Sequence, residues 1–471
     1  MKIDQIYTGC LAQGAYYIES EGEVAIIDPL REVQPYIDTA KKNGAKIKYI
    51  LETHFHADFV SGHVTLAEKT GASIVYGPNA DPKFEAHIAE DGEILSLGKV
   101  KIKVLHTPGH TMESTTYLLQ DEDGKDTAIF SGDTLFLGDV GRPDLAQKAA
   151  SMTQEQLAET LFDSLRNKIM PLADDVTVYP GHGAGSACGK NMMKETVDTL
   201  GNQKKMNYAL RADMTKEEFV KEVTDGLSAP PAYFPLNVQM NKEGYASIDD
   251  ILEQGTKALK PIEFLTAVEA TGAVVLDVRH ESKFVEGHIP GSIFIGLDGQ
   301  FAPWVGAVIA DVKQPLLLVC DAGREKESVT RLARVGFDNV LGYLQGGIAA
   351  WRQDGQEIDS LKSLSAEEFK ASIDKGHQPV VDVRKFSEYQ AEHVVDAMNI
   401  PLDDINDKMS EFPADKDFYL HCAGGYRSVI ASSILKSRGY HNLINVAGGM
   451  SEIRKTGMEF TDYVCPSTLK A

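Results

Sequence analysis

An α/β chain of about three domains is the fold that this sequence predicts, and three observations predict it. The chain has 471 residues, too many for one hydrophobic core. Its first half alternates β-rich runs with helical stretches, and the runs end in polar, glycine-containing loops. Its second half carries one pattern twice: "VVLDVRHESKFVEGHIPGS" (274–292) aligns with "PVVDVRKFSEYQAEHVVDA" (379–397).

The elements of the first half follow in order. "EVAIIDPL" (23–30) and "IKYILETH" (47–54) read as strands, and "VQPYIDTAKKNG" (33–44) between them has helical spacing with a Gly44 stop. "VKIKVLHTPGH" (100–110), "DTAIFSGDTLF" (126–136) and "DVTVYPGHG" (175–183) each run from a strand into a polar loop. Loops at strand ends are where α/β architectures place their chemistry.

In the second half, Asp277, Arg279 and His288 match Asp382, Arg384 and His393 at an offset of 105 residues. Cys320 falls over Cys422, and "QGGIAAW" over "AGGMSEI", at an offset of 102. Each copy alternates strands and helices, which predicts a parallel sheet, and "RQDGQEIDSLKS" (352–363) is the expected linker. Domain boundaries are expected at 1–245, 246–356 and 357–471.

Composition narrows the class. Apolar residues make up 43% and charged residues 25%, as in ordinary globular proteins. A net charge of −22 argues against nucleic acid or an anionic membrane as partner, though not against a small anion in a local positive pocket. No run of 18 apolar residues and no basic-then-apolar N-terminal segment occurs, so a cytoplasmic location is expected. The five cysteines, Cys10, Cys188, Cys320, Cys422 and Cys465, are odd in number and scattered, unlike a disulfide framework.

The chemistry-bearing residues cluster at strand ends. "LETHFHADFVSGH" (51–63) supplies His54, His56 and Asp58, "TPGHT" His110, "SGDT" Asp133 and "YPGHG" His182. These six are the candidate metal ligands; isolated histidines such as His63 and His106 are expected to be structural. Phe59 stands where such clusters usually continue with another histidine, and a phenyl ring cannot replace imidazole as a ligand. Arg142, in "GRPD", either binds a substrate carboxylate or pins its loop through Asp144. "GHGAGSACGK" (181–190) departs from a phosphate loop at Ala184 and Asn191. Its Cys188, six residues after His182, lies near the site or is a small buried thiol.

"HCAGGYRS" (421–428) follows the apolar "FYL" and precedes a helical run. A strand, a tight loop and a helix N-terminus direct backbone N–H groups and positive potential at Cys422. Such a setting favours a thiolate and can cradle a persulfide, with Gly424, Gly425, Tyr426 and Ser428 forming the loop. Arg427 adds donors for an anionic acceptor such as sulfite or thiosulfate. In the first copy Glu325 stands at the Arg427 position and Lys326 at the Ser428 position, so that copy is expected to be degenerate and mainly structural.

These motifs carry a resemblance. The His-x-His-x-Asp cluster with TPGH, SGD and YPGH resembles the metallo-β-lactamase fold, and "SGDTLFLGDVGRPDL" (131–145) resembles its persulfide dioxygenases. The Cys422 loop, the DVR strings and the Gly-Gly pairs resemble rhodanese sulfurtransferases. The order of the whole chain resembles the CstB-like multidomain persulfide dioxygenase–sulfurtransferases of bacterial sulfide detoxification. The resemblance implies an αββα sandwich followed by two rhodanese-like domains with parallel sheets. It implies one Fe(II) per chain on His54, His110 and Asp133, an arrangement that leaves positions open for substrate and O₂. His56, Asp58 and His182 then orient those ligands or donate hydrogen bonds. The implied activity is oxidation of a small thiol persulfide to sulfite, with sulfur passing through Cys422, in a homo-oligomer. Two rivals stand beside it: a zinc thioester hydrolase like glyoxalase II, and a sulfur carrier whose lactamase-fold part only docks partners. The thiol that carries the persulfide (glutathione, coenzyme A or bacillithiol) and the role of Cys320 stay open.

Overall fold

The computed structural model of the protein describes residues 1–227, 229–376 and 378–464; Cys465 lies outside the described residues. The chain divides into two compact units, residues 1–248 with 333–336, and residues 249–332 with 337–471. Among the described residues no helix is long and apolar enough to cross a membrane.

Unit 1 is built on two six-stranded sheets. One takes its strands in chain order: Lys2–Thr8, Gln13–Ser20, Glu23–Ile27, Lys46–Leu51, Ser73–Tyr76 and His87–Ile88. The other runs Asp198–Thr199, Thr177–Pro180, Asp126–Gly132, Thr115–Gln120, Val100–His106 and Ile94–Leu97. Strand alternation explains why the layers stack. Tyr16, Ile18, Ala25, Ile27 and Leu51 of the first sheet pack with Val104, Tyr117, Leu119 and Phe130 of the second. The intervening Ala15, Tyr17, Val24 and Ile26 face outward onto Tyr36 and Ile37 of the helix Gln34–Lys42 and Leu66 of the helix His63–Thr70. On the outer face of the second sheet, Ile129 and Val178 meet Ala158 and Leu161 of the helix Gln154–Ser164. Strands buried on both faces read as nearly continuous apolar runs, as "EVAII" and "TAIF" do. The order is helix, sheet, sheet, helix.

Unit 2 holds two five-stranded parallel sheets of one strand order. The first runs Ala258–Leu259, Val340–Leu344, Leu316–Val319, Val274–Asp277, Ile293–Phe294. The second runs Ser363–Leu364, Leu443–Val446, Phe418–His421, Val380–Asp382, Met398–Asn399. The repeated Asp-Val-Arg string has one structural task in both copies. Asp277 and Asp382 are fully buried, and each accepts a forked arginine, Arg279 or Arg384, at 2.6 Å. Each arginine also donates to a carbonyl eight residues on, that of Gly287 or Glu392. The matched histidines stack on rings four residues earlier, His288 on Phe284 and His393 on Tyr389. The two copies also touch within the unit. The Phe294 N–H donates to Ser433 Oγ at 2.9 Å, and the Tyr426 hydroxyl donates to the Gly296 carbonyl at 2.7 Å.

Candidate metal centre and persulfide loop

In unit 1 the strands Lys46–Leu51, Val100–His106, Asp126–Gly132 and Thr177–Pro180 end next to the loops that carry the six candidate ligands. Asp126–Gly132 and Thr177–Pro180 are parallel neighbours with Gly132 opposite Pro180, which brings Asp133 beside His182. All six ligands are buried.

His54, His110 and Asp133 converge: one ligand atom from each lies within 4.8 Å of the others. Asp133 Oδ2 is 3.4 Å from His110 Nε2 and 3.9 Å from His54 Nε2. The other ring nitrogens are held from behind. His110 Nδ1 lies 2.9 Å from the Arg142 carbonyl, which can only accept, so Nδ1 carries the proton and Nε2 presents a lone pair. His54 Nδ1 lies 2.9 Å from Thr53 Oγ1, whose own proton goes to Asp28 Oδ2. That orientation again leaves Nε2 bare. Burial, then the neighbouring imidazoles, push His54 well below the usual imidazole value and keep it neutral, the form that binds a cation. Both Asp133 carboxylate oxygens are buried without a hydrogen-bond partner. Folding seldom buries such a group uncompensated, and two imidazoles facing it fit a divalent cation.

His56 is differently engaged. Its Nε2 lies 3.1 Å from Asp28 Oδ1 and 3.6 Å from Glu52 Oε2. Burial alone would lower its pKa, but Asp28 outweighs burial and raises it to about 9. Phe59, fully buried, lays its ring 4.3 Å from that of His56 and 6.5 Å from that of His182. Asp58 and His182 meet on the opposite side of Asp133 from His54 and His110. His182 Nε2 is 3.5 Å from Asp58 Oδ2 and 3.6 Å from Asp133 Oδ1. Burial, then the Asp133 charge, raise the Asp58 carboxyl. His63 lies 3.5 Å from Glu52, and His106 Nε2 pairs with the Met112 carbonyl, so both have structural partners.

Of the two readings of Arg142, the loop pin is the one its bonds display. Nε and Nη2 fork onto Asp144 at 2.7 Å each, and Nη1 reaches the Ala187 carbonyl. Its backbone ties the site together, the carbonyl facing His110 and the N–H donating to the Cys188 carbonyl. Cys188, Asp133 and His182 form a further set within 4.8 Å. Burial, then Asp58 and Asp133, push the Cys188 thiol well up.

In unit 2, Cys422 ends the strand Phe418–His421 and faces the N-terminus of the helix Tyr426–Ser437. Gly425 has φ +105°, which turns its N–H onto Cys422 Sγ at 3.1 Å, and a side chain would resist that conformation. Ser428 Oγ is 3.7 Å from the sulfur. A cavity of about 340 Å³ opens over Cys422, Gly424, Tyr426 and Arg427, with Lys385 and Glu388 beside them and Gln300 and Trp304 from the first copy. Arg427 departs from expectation by forking onto Glu388 at 2.6 and 2.9 Å rather than standing as a free cation. Arg427 outweighs burial and holds the Glu388 carboxyl below its usual range.

Cys320 sits otherwise. Burial, then Glu325, push its thiol up to about 12. Arg324, which could offset that charge, is turned to Glu327 and Asp298.

Sequence reasoning missed Asp28 and Glu52 behind His56, Glu388 beside Arg427, and Gln300 and Trp304 in the cavity wall. Asp28 carried a usable signal, an acid at a strand end like Asp133; the others lie far from the motifs in sequence.

Comparison with known proteins agrees with this architecture. The metallo-beta-lactamase superfamily matches residues 8–182 and the rhodanese-like domain matches residues 260–354 and 365–456. The chain is 33% identical to a cytoplasmic hydroxyacylglutathione hydrolase of Arabidopsis thaliana over 39% of this chain and 67% of the relative. It is 30% identical to the mitochondrial persulfide dioxygenase ETHE1 of Homo sapiens over 42% of this chain and 70% of that protein. A crystal structure of a metallo-beta-lactamase from Staphylococcus aureus subsp. aureus COL superposes with a TM-score of 0.64 at 31% identity, covering 73% of this chain and 98% of that one. The two stacked sheets, the ligand-bearing strand ends and these matches agree: the chain belongs to the metallo-beta-lactamase superfamily and continues into two rhodanese-like domains.

Proposed function

We propose that the chain oxidises the terminal sulfur of a small thiol persulfide with O₂ and moves sulfane sulfur through Cys422, as in the CstB-like fusions. The observation that carries the reading is the His54–His110–Asp133 set, two imidazoles and one carboxylate, with Phe59 at the position from which a histidine would serve a second ion. An Fe(II) ion held there would supply open positions for persulfide and O₂. The overall change is RSSH + O₂ + H₂O → RSH + HSO₃⁻ + H⁺. The protein's own part is to hold Nε2 of both histidines bare through Thr53 and the Arg142 carbonyl.

At the second centre, the Cys422 thiolate attacks the outer sulfur of thiosulfate, so that Cys–S⁻ + SSO₃²⁻ → Cys–SS⁻ + SO₃²⁻; the reverse returns thiosulfate. The Gly425 N–H and the helix N-terminus stabilise charge on that sulfur. Placing both activities on one chain raises the local concentration of the sulfur they share. Boundaries near 245 and 356 fit this division of labour, since the three family matches fall inside them.

A second reading, thioester hydrolysis with zinc, is favoured by the similarity to hydroxyacylglutathione hydrolase. His110→Ala separates the cases. It is expected to strip iron and abolish persulfide-dependent O₂ uptake while thiosulfate:cyanide sulfur transfer persists, because Cys422 lies in the other unit. Unchanged O₂ uptake without iron sinks the reading; zinc content with thioester turnover establishes the second.

A further inference from the structure

We propose that the cavity over Cys422 is a binding site for an organic thiol that carries an anionic group, with Lys385 as its anion anchor and Gln300 and Trp304 of the first copy as its wall. The proposal rests on sulfur transfer through Cys422 and adds to it the class of sulfur carrier.

The sulfur and its carrier have separate receptors. On the sulfur side the Gly425 N–H points at Cys422 Sγ at 3.1 Å and serves the reacting atom alone. The cavity beyond it measures about 340 Å³. That is more than the few atoms of sulfite or thiosulfate occupy, and it falls within the ~300–1,000 Å³ range of sites for small organic ligands.

Charge decides what the carrier brings. Arg427 and Glu388 fork onto each other, so together they add little net charge to the cavity. Lys385, in the same wall, makes no ion pair or hydrogen bond through its ammonium among the described residues. The exposed Asp403 feels Lys385 more than any other charge, yet the two do not pair. A positive charge is left over for a ligand.

The first copy supplies the rest. Its helix Phe301–Val308 brings Trp304 to the cavity, 7% exposed, with an indole N–H that meets no acceptor among the described residues. An indole so buried seldom leaves its N–H unpaired. Gln300, just before that helix, lines the cavity with a carboxamide that is likewise unbonded among the described residues. An aromatic face, a carboxamide and an ammonium around one thiol fit an amphipathic carrier; a bare inorganic anion has no use for the indole face. The carrier's thiolate attacks the outer sulfur of the loaded cysteine, a new S–S bond forms as the old one breaks, and the electron pair returns to Cys422: Cys–SSH + RS⁻ → Cys–S⁻ + RSSH. The reverse loads Cys422 from an organic persulfide.

The test starts from the full chain with Cys422 loaded by thiosulfate and one added sulfur verified by mass; variants are compared once they load. Transfer is then followed to 3-mercaptopropionate, which carries a carboxylate, and to cysteamine, which carries an ammonium. Per thiolate, the unmutated chain is expected to favour 3-mercaptopropionate roughly tenfold in kcat/KM, and Lys385→Glu is expected to invert that preference. Trp304→Ala is expected to raise the KM for both thiols severalfold. Competition in the unmutated chain needs no variant to fold: propionate is expected to inhibit transfer to 3-mercaptopropionate about tenfold better than propionamide does. Equal use of the two thiols, a preference that survives Lys385→Glu, an unmoved KM in Trp304→Ala, or propionate no better than propionamide overturns the proposal. A chain that never gains sulfur at Cys422 removes the transfer reading itself, and the proposal with it.

Discussion

The two rhodanese-like copies have the same strand order, the same buried Asp–Arg fork and the same stacked histidine, yet their cysteines sit in opposite electrostatic settings. At Cys422 a backbone N–H points at sulfur, and the neighbouring cation is present though shared with Glu388. At Cys320 burial and a carboxylate raise the thiol to about 12, and the adjacent arginine is turned to other acids. Fold was retained in both copies while the charge around one thiol was reversed. A sheet and its ion-pair staples specify the loop's position; a few side chains decide what the loop can do.

The comparison breaks most easily at the cysteines. Cys422→Ser is expected to lower thiosulfate:cyanide transfer by about a thousandfold or more, because serine forms no persulfide, whereas Cys320→Ser keeps most of it. Mass spectrometry after brief persulfide exposure reads the same contrast directly. A sulfur arriving first on Cys320 would reverse the assignment of the copies.

Next in size is the charge swap. A unit charge at ~5 Å and an effective dielectric of ~20 is worth about 3 kcal/mol, and solvent screening removes much of that. Glu325→Arg is therefore expected to lower the Cys320 thiol by roughly one unit or more and speed its alkylation at pH 8 roughly tenfold. An unchanged rate would leave burial as the whole cause.

The Arg427–Glu388 pair sharpens the other side. Arg427→Ala is expected to raise the KM for thiosulfate roughly tenfold, while Glu388→Gln, which frees the guanidinium, lowers it severalfold. Shifts in the same direction would mean that the pair only shapes the loop.

A pH dependence reads the same contrast without a substitution. A thiol raised in the folded state stabilises that state below the unfolded thiol's value near ~8.5, and the gain is lost as pH climbs toward the folded value. Native-state alkylation of Cys320 should then rise about tenfold per pH unit from pH 8 to 11 without levelling. A plateau near pH 9, followed by peptide mass analysis, would contradict an elevated thiol.

Much of this was legible in the sequence. "EVAII" and "TAIF" announced strands buried on both faces, the repeat announced two like sheets, and four strand-end motifs announced the ligand loops. Local patterns report local structure, which is why the six candidate ligands and Cys422 could be named, while the choice of His54 over His56 came from the family resemblance. The partners of those residues could not. Asp28 reaches His56, Glu388 reaches Arg427 and Trp304 reaches the Cys422 cavity through packing across many intervening residues. No spacing rule encodes such approaches, since they depend on how layers stack after the chain has folded. Arg142 shows the same limit, two chemically sensible roles being separable only by the direction its guanidinium takes.

Tyr426 gives the first copy a hold on the second. The ring belongs to the Cys422 loop, its hydroxyl is bonded to Gly296, and a methyl group at Gly299 would come within 2.4 Å of it. Divergence is therefore unevenly permitted across the first copy. The edge at 296–299 is constrained by the loop that it packs against. One residue of the first copy that the second copy would miss is a glycine with no chemistry of its own, and a second copy cut free at the linker would leave that tyrosine without its seat.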